Sequence, residues 1–298
     1  MSGNTVFVFL SSMFFACLIL IQPAYAHSFN DYESAAFLAK IPEVKIETNL
    51  IATHAGNKDA INYYDTLLKK YWTFNDTREL NERNPQLASL ISSTINDTIS
   101  DAKAGNADMA YSDYFSIAGY MEQAGVVRVD PIPLNNSTIQ AMSIAIVLRE
   151  SLERYGDAIK SSELGNLSSM TVSKMEYANG MTSTGTPKIA NEYAYENSKE
   201  LAQEALQMYG QLITHNDDKK TYNDKIGNFM TKYITDLNNM ADPNTVISDV
   251  YMGVYPNFVS GYRLNLESIP EFPVPALMVA AIISVVIAIT RFDLKKLV

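Results

Sequence analysis

The chain has 298 residues, 33 acidic against 23 basic side chains, a formal net charge of −10 and 47% hydrophobic content. That balance excludes recruitment to nucleic acid or to an anionic membrane by charge. Cys17 is its single cysteine, so an internal disulfide framework is excluded and stability must come from a packed apolar core.

Residues 6–21 are apolar apart from Ser11 and Ser12, a run too short to span a bilayer comfortably. Gln22-Pro23 and then Ala24-Tyr25-Ala26 follow, an A-x-A pattern with a small residue on each side of the tyrosine. The reading is a secretory signal peptide over residues 1–26, removed by signal peptidase to leave His27 as the mature terminus. No Lys or Arg precedes the run, so the amino group alone supplies its positive charge. Phe14-Phe15-Ala16 makes a poor lipobox before Cys17, and a lipid-attached cysteine is not expected.

Residues 27–160 form the first helical region. Phe37, Ile41, Val44, Thr48 and Ile51 fall on one stripe and predict a helix over about residues 31–54. Pro42 inside it is expected to kink it or split off its first turns. Gly56-Asn57 closes that helix, and Ala60, Ile61, Tyr64, Leu67, Leu68 and Tyr71 mark a second. Leu87, Leu90, Ile91, Ile95 and Ala102 mark a third that stops at Gly105. Tyr114, Ile117, Ala118 and Met121 mark a short fourth before Gly125. Residues 126–134 read as extended, with Pro131 and Pro133 preventing a helix. Ser137 or Thr138 then caps a fifth helix, over residues 139–159.

Residues 161–188 are rich in Ser, Thr, Gly, Asn and Met and read as a flexible linker or exposed loop, the best candidate boundary. The second helical region, 189–268, carries helices near 189–214, 219–240 and 244–260. The predicted fold class is all-α, an antiparallel helical bundle ectodomain with a cleaved N-terminal signal and one C-terminal transmembrane helix. The two halves share an echo: Leu50-Ile51-Ala52-Thr53-His54 returns as Leu212-Ile213-Thr214-His215, and Lys58 and Asn62 then fall on Lys219 and Asn223. Those identities are too few to establish a duplication.

The last segment is 269–298. Residues 274–290 are uncharged, and about 17 helical residues reach roughly 25 Å, a short membrane span. Arg291, Lys295 and Lys296 follow against Asp293, which places that end inside and the region between signal and anchor outside. Just before it stands Pro270-Glu271-Phe272-Pro273. That motif, an apolar helix and a basic tail together resemble the PEF-CTERM sorting signals of archaeal surface proteins. The resemblance covers about the last thirty residues and implies an archaeosortase-like processing enzyme that cuts near the motif and transfers the chain to another anchor. Variants with Gly in the fourth position are common in ammonia-oxidising archaea; Pro273 stands there instead. More loosely, His27-Ser28-Phe29, Glu33-Ser34-Ala35-Ala36-Phe37-Leu38 and Val254-Tyr255-Pro256-Asn257 resemble secreted helical proteins of those archaea, which implies lineage and location but no activity.

His27, His54 and His215 are the chain's histidines. A free amine and imidazole on His27 would chelate Cu(II), with His54 or His215 as a further ligand. Glu43, Glu47 and His54 share a helix face, but Glu47 and His54 are roughly 10 Å apart along its axis, and both glutamates are expected on the solvated face. His54 and His215 near helix C-termini would favour the dipole when protonated. Glu192, Glu196, Glu200 and Glu204 form an i, i+4 ladder, also expected to be solvated. Asn75, Asn96, Asn135, Asn136 and Asn166 head Asn-x-Ser/Thr sequons and are candidate glycosylation sites. A phosphate loop, G-x-S-x-G, H-E-x-x-H and a complete calcium loop are all missing. The expectation is a surface-anchored extracytoplasmic helical protein, non-enzymatic, with a structural, interaction or ligand-binding role. Its rival is an extracytoplasmic copper-binding protein built on His27.

Overall fold

The computed structural model describes residues 31–161, 186–214 and 216–264, without the side chains of 74–76 and 217. The signal, His27, His215, Asn166, most of the expected linker and the whole sorting segment lie outside the described residues. No helix among the described residues is long and apolar enough to cross a membrane.

The described residues are all-α. In order they form α1 (Asp31–Thr53), α2 (Lys58–Tyr71), α3 (Phe74–Arg83), α4 (Pro85–Ala104), α5 (Ala107–Arg128), α6 (Pro131–Leu134), α7 (Ser137–Ile159) and α8 (Glu192–Ile213). A 3-10 turn (Asp217–Lys219) leads to α9 (Lys220–Asn238), followed by α10 (Pro243–Ser248), a π-helical segment (Asp249–Val254) and α11 (Tyr255–Tyr262). Asparagine starts many of them. Oδ1 of Asn57, Asn84 and Asn191 accepts from the backbone N–H three residues on, at 3.2, 3.0 and 3.2 Å, which satisfies a donor the helix leaves unpaired. Gly56 and Gly105 turn the chain with φ of +86° and +80°, a region that disfavours any side chain with a Cβ.

α1 is the hub, with α2, α4, α5, α7 and α8 all packed on it. The expected stripe of Phe37, Ile41, Val44 and Ile51 is buried, and so are Ala35, Ala39, Leu50 and Ala52 on its other faces. Phe37 and Phe258 are fully buried, each worth roughly 1.5–3 kcal/mol of transfer free energy. α7 and α8, on either side of residues 162–185, pack closely on each other and share one apolar core with α1. The two helical regions therefore do not close separate cores.

The abundant tyrosines pin helices together. Hydroxyls of Tyr195, Tyr209 and Tyr255 donate to the carbonyls of Leu237, Asn223 and Ala145 at 2.7, 2.5 and 3.1 Å. A ring fills the core while its O–H satisfies a buried acceptor, which an aliphatic residue cannot do.

Five local expectations are corrected. Pro42 does not divide α1, which runs unbroken around it; packing on every side compensates the one missing N–H. Residues 126–134 are not extended: α5 continues to Arg128, and Pro131 opens α6 at a first-turn position where its missing N–H costs nothing. The fourth helix is accordingly long, spanning Ala107–Arg128 and passing through Gly125. Asn136, not Ser137 or Thr138, caps α7, its Oδ1 accepting from Thr138 N at 2.9 Å. The last predicted helix is interrupted: Tyr255 N–H bonds Val250 O in π register just before Pro256, a one-residue shift at the point where proline removes a donor.

Candidate functional site

A cleft of about 530 Å³ opens between α1, α7, α8 and the α5–α6 edge, within the roughly 300–1,000 Å³ of small-ligand pockets. Leu38, Ile41, Pro42, Ile144, Met208 and Leu212 give it an apolar floor, beside a polar lining of comparable extent that includes Lys45, Glu122, Gln140 and Glu204. Its polar groups are largely committed. Ser143 Oγ donates to Gln140 O at 2.7 Å, and Gln140 Nε2 donates to Leu134 O at 2.9 Å. Lys45 Nζ donates to Glu122 Oε1 at 2.9 Å and bridges α1 to α5. Burial works against the Lys45 ammonium, but the hydrogen bond and charge of Glu122, with Glu204 and Tyr114 behind it, raise its pKa above the usual lysine value. Glu204, half-buried in the α8 wall, makes no hydrogen bond or ion pair with the described residues.

The opposite face of α1 meets a buried charged network. The expectation of solvated glutamates fails here: Glu43 and Glu47 are 3% and 0% exposed, because α1 is wrapped by helices on every side. Glu150 of α7 holds the centre. Its Oε2 accepts from Lys70, from the Tyr71 hydroxyl and from Arg154 Nη2 at 3.2, 3.1 and 3.1 Å. Burial pushes Glu150 up, but Lys70, Arg154 and Arg149 outweigh it and hold its pKa below the ordinary carboxylate value. Glu43 goes the other way, raised by burial and then by the charge of Glu150. Glu153 is raised to about 7, by burial and then by Glu150. Glu47 Oε1 accepts from Asn197 Nδ2 of α8 at 2.8 Å, and burial pushes its pKa up to about 8.

His54 directly follows α1, and its Nε2 lies 2.7 Å from Glu196 Oε2, which also accepts from the Tyr64 hydroxyl at 2.6 Å. An ionised carboxylate only accepts, so Nε2 carries a proton in this pairing. Tyr64 and Tyr193 flank the imidazole, ring centroids 5.7 and 5.8 Å away. The glutamate ladder is thus not one solvated face: Glu192 and Glu200 are exposed, Glu196 pairs with His54, and Glu204 lines the cleft. An i, i+4 row drifts about 40° per step, so its members come to face different neighbours.

Among the described residues no group of three or more His, Cys, Asp or Glu side chains could hold a metal ion. His54 stands with Glu196 and tyrosines, while His27 and His215 lie outside the description. Of the sequons, Asn96 is exposed in α4, and Asn135 is exposed at the end of α6 with Nδ2 donating to Pro131 O at 2.7 Å. Asn136 is half-buried as the α7 cap; the Asn75 side chain and Asn166 are outside the description. Glu150, Arg154 and Asn197 were missed from the sequence, although a charged i, i+4 pair inside so apolar a helix as α7 is a legible signal of buried ionic structure.

No family model, curated protein or solved structure matches the chain.

Proposed function

We propose that the chain is an exported, surface-anchored helical protein whose bundle is a non-enzymatic binding ectodomain. It takes a small organic cation with an apolar body into the cleft between α1, α7 and α8. The observation that supports this reading is Glu204. It presents a half-buried carboxylate, without an ion-pair partner among the described residues, to a cleft with an apolar floor. The neighbouring Lys45 is held by Glu122 instead. A carboxylate beside a low-dielectric wall attracts a cation more strongly than one in open water, and the aliphatic floor favours an alkyl or alicyclic body. The location rests on residues 1–26 and on Pro270-Glu271-Phe272-Pro273 with the apolar stretch behind it.

Two measurements test it. Mass spectrometry of the mature chain from its native host should find His27 at the amino terminus and modification or attachment near Pro273; an intact signal on a cytoplasmic chain would sink the location. A melting-temperature panel of alkylammonium, alkyl carboxylate and alkanol of equal chain length should show stabilisation by the ammonium alone. Equal shifts with all three, or none, would sink the binding reading.

A further inference from the structure

The contact between Glu47 and Asn197 holds a mismatch that one proton resolves. Asn197 Nδ2 donates to Glu47 Oε1 at 2.8 Å. The remaining oxygen of each side chain, Glu47 Oε2 and Asn197 Oδ1, is buried without a hydrogen-bond partner. Both residues are fully buried. Neither oxygen can donate as long as Glu47 is ionised, and two buried orphan acceptors in one contact are costly. A proton on Glu47 Oε2 is the one donor that this pair of side chains lacks.

We infer that Glu47 and Asn197 form a buried proton-binding site in the seam between α1 and α8, with the carboxyl neutral and donating to the amide oxygen when the bundle is closed. The surroundings are consistent with a neutral acid. Glu150 on α7 opposes a negative charge at Glu47, whereas Arg154 on α7 and Lys70 on α2 favour one; Glu43 stands one turn earlier on α1 as a further buried carboxyl. Both cations are already bonded to Glu150. Tyr63, Tyr64 and Tyr71 face it from α2, and its charge would add to the burial that keeps those phenols protonated. On α8 it meets the uncharged Asn197, with Glu196 one residue earlier engaged by His54 and Tyr64. Burial raises the Glu47 pKa to about 8, which places release of the proton just above neutrality. Loss of the proton leaves a buried charge facing an amide oxygen, so the seam weakens as pH rises through that value. α1 and α8 also wall the cleft, and the seam sets their spacing.

Infrared difference spectra of the full chain, taken between neutral and alkaline pH, test this on the wild type and on Glu47→Gln. The expected result is a protonated-carboxyl C=O band at neutral pH that disappears on the alkaline side and whose largest component is missing from Glu47→Gln. That variant should keep the wild-type melting temperature at neutral pH, because a glutamine amide restores both hydrogen bonds. Asn197→Leu, which keeps the acid but removes its acceptor, should shift the Glu47 component to higher frequency. A band identical in wild type and Glu47→Gln overturns the inference. A Glu47→Gln variant that fails to fold, or melts far below the wild type at neutral pH, overturns it as well, since it would mean the carboxylate is held by its charge.

Discussion

Ser151 of α7 and Ser198 of α8 exchange hydrogen bonds, each hydroxyl donating to the other's carbonyl at 2.7 Å. The Tyr233 hydroxyl of α9 then lies 2.7 Å from Ser151 Oγ, so three helices meet on two small side chains. Ser198→Ala should cost about 1 kcal/mol, one net hydrogen bond. Ser151→Val should cost about 1–3 kcal/mol more, because it crowds the helix contact and removes the hydroxyl 2.7 Å from the buried Tyr233 hydroxyl. Urea unfolding of both variants checks the order; equal losses would mean the exchange is incidental to packing.

The Glu150 network predicts strong non-additivity. Glu150→Ala takes the buried carboxylate from Arg154, which is 6% exposed and keeps only Asp157 as an ion-pair partner, and should destabilise by about 3 kcal/mol. The double variant Glu150→Met with Arg154→Met should lose much less than the sum of its single changes, since it removes both charges and keeps the volume. A double-mutant cycle that closes to zero would mean the pair contributes independently.

The same network sets two opposed pH limbs. Glu150 has a folded pKa below its unfolded one, so its contribution is present above the ordinary carboxylate value and is lost as pH falls through the folded pKa. Glu153 is raised to about 7 by burial and by Glu150, so the folded chain holds its proton more tightly than the unfolded one. That contribution is complete below the unfolded pKa and disappears as pH rises through about 7. Denaturant midpoints should therefore peak on the acid side of neutrality, and Glu153→Gln should flatten the fall toward pH 7. A midpoint that climbs steadily from acid to alkaline pH contradicts the assignment.

Gly253 in the π-helical segment lies so close to the Phe229 ring that a Cβ would overlap it. Gly253→Ala should destabilise by about 1–3 kcal/mol, and adding Phe229→Leu should recover part of that by opening space. Thermal unfolding of the single and double variants decides it: an unchanged midpoint for Gly253→Ala would show the ring swings aside freely.

Much of the bundle was legible because its helices bury apolar residues at regular spacing, as at Leu87, Ile91, Ile95 and Ala102 with Gly105 behind, although Leu90, expected on that stripe, is 46% exposed. α3 was not, since Asn81, Glu82 and Arg83 carry no stripe; it is held by buried Leu80, by an Arg128–Glu79 ion pair at 2.7 Å and by an Arg83–Asp130 pair at 3.1 Å. The glutamates of α1 were misplaced for a related reason. Local spacing assigns residues to faces, but only the packing of α7 and α8 decides that the face carrying Glu43 and Glu47 is inside. Glu204 belonged to a visible ladder, yet its neighbours Lys45 and Glu122 come from other helices, so the cleft could not be assembled from one helix alone.

The most direct test is calorimetric titration of the full chain with hexylammonium, in wild type and Glu204→Gln, against hexanol as the uncharged control. Saturable binding of the ammonium to the wild type is expected, with at least a tenfold loss in Glu204→Gln, about 1.4 kcal/mol, and no change in hexanol response. Binding that is equal in the two proteins, or equal for hexylammonium and hexanol, would contradict it.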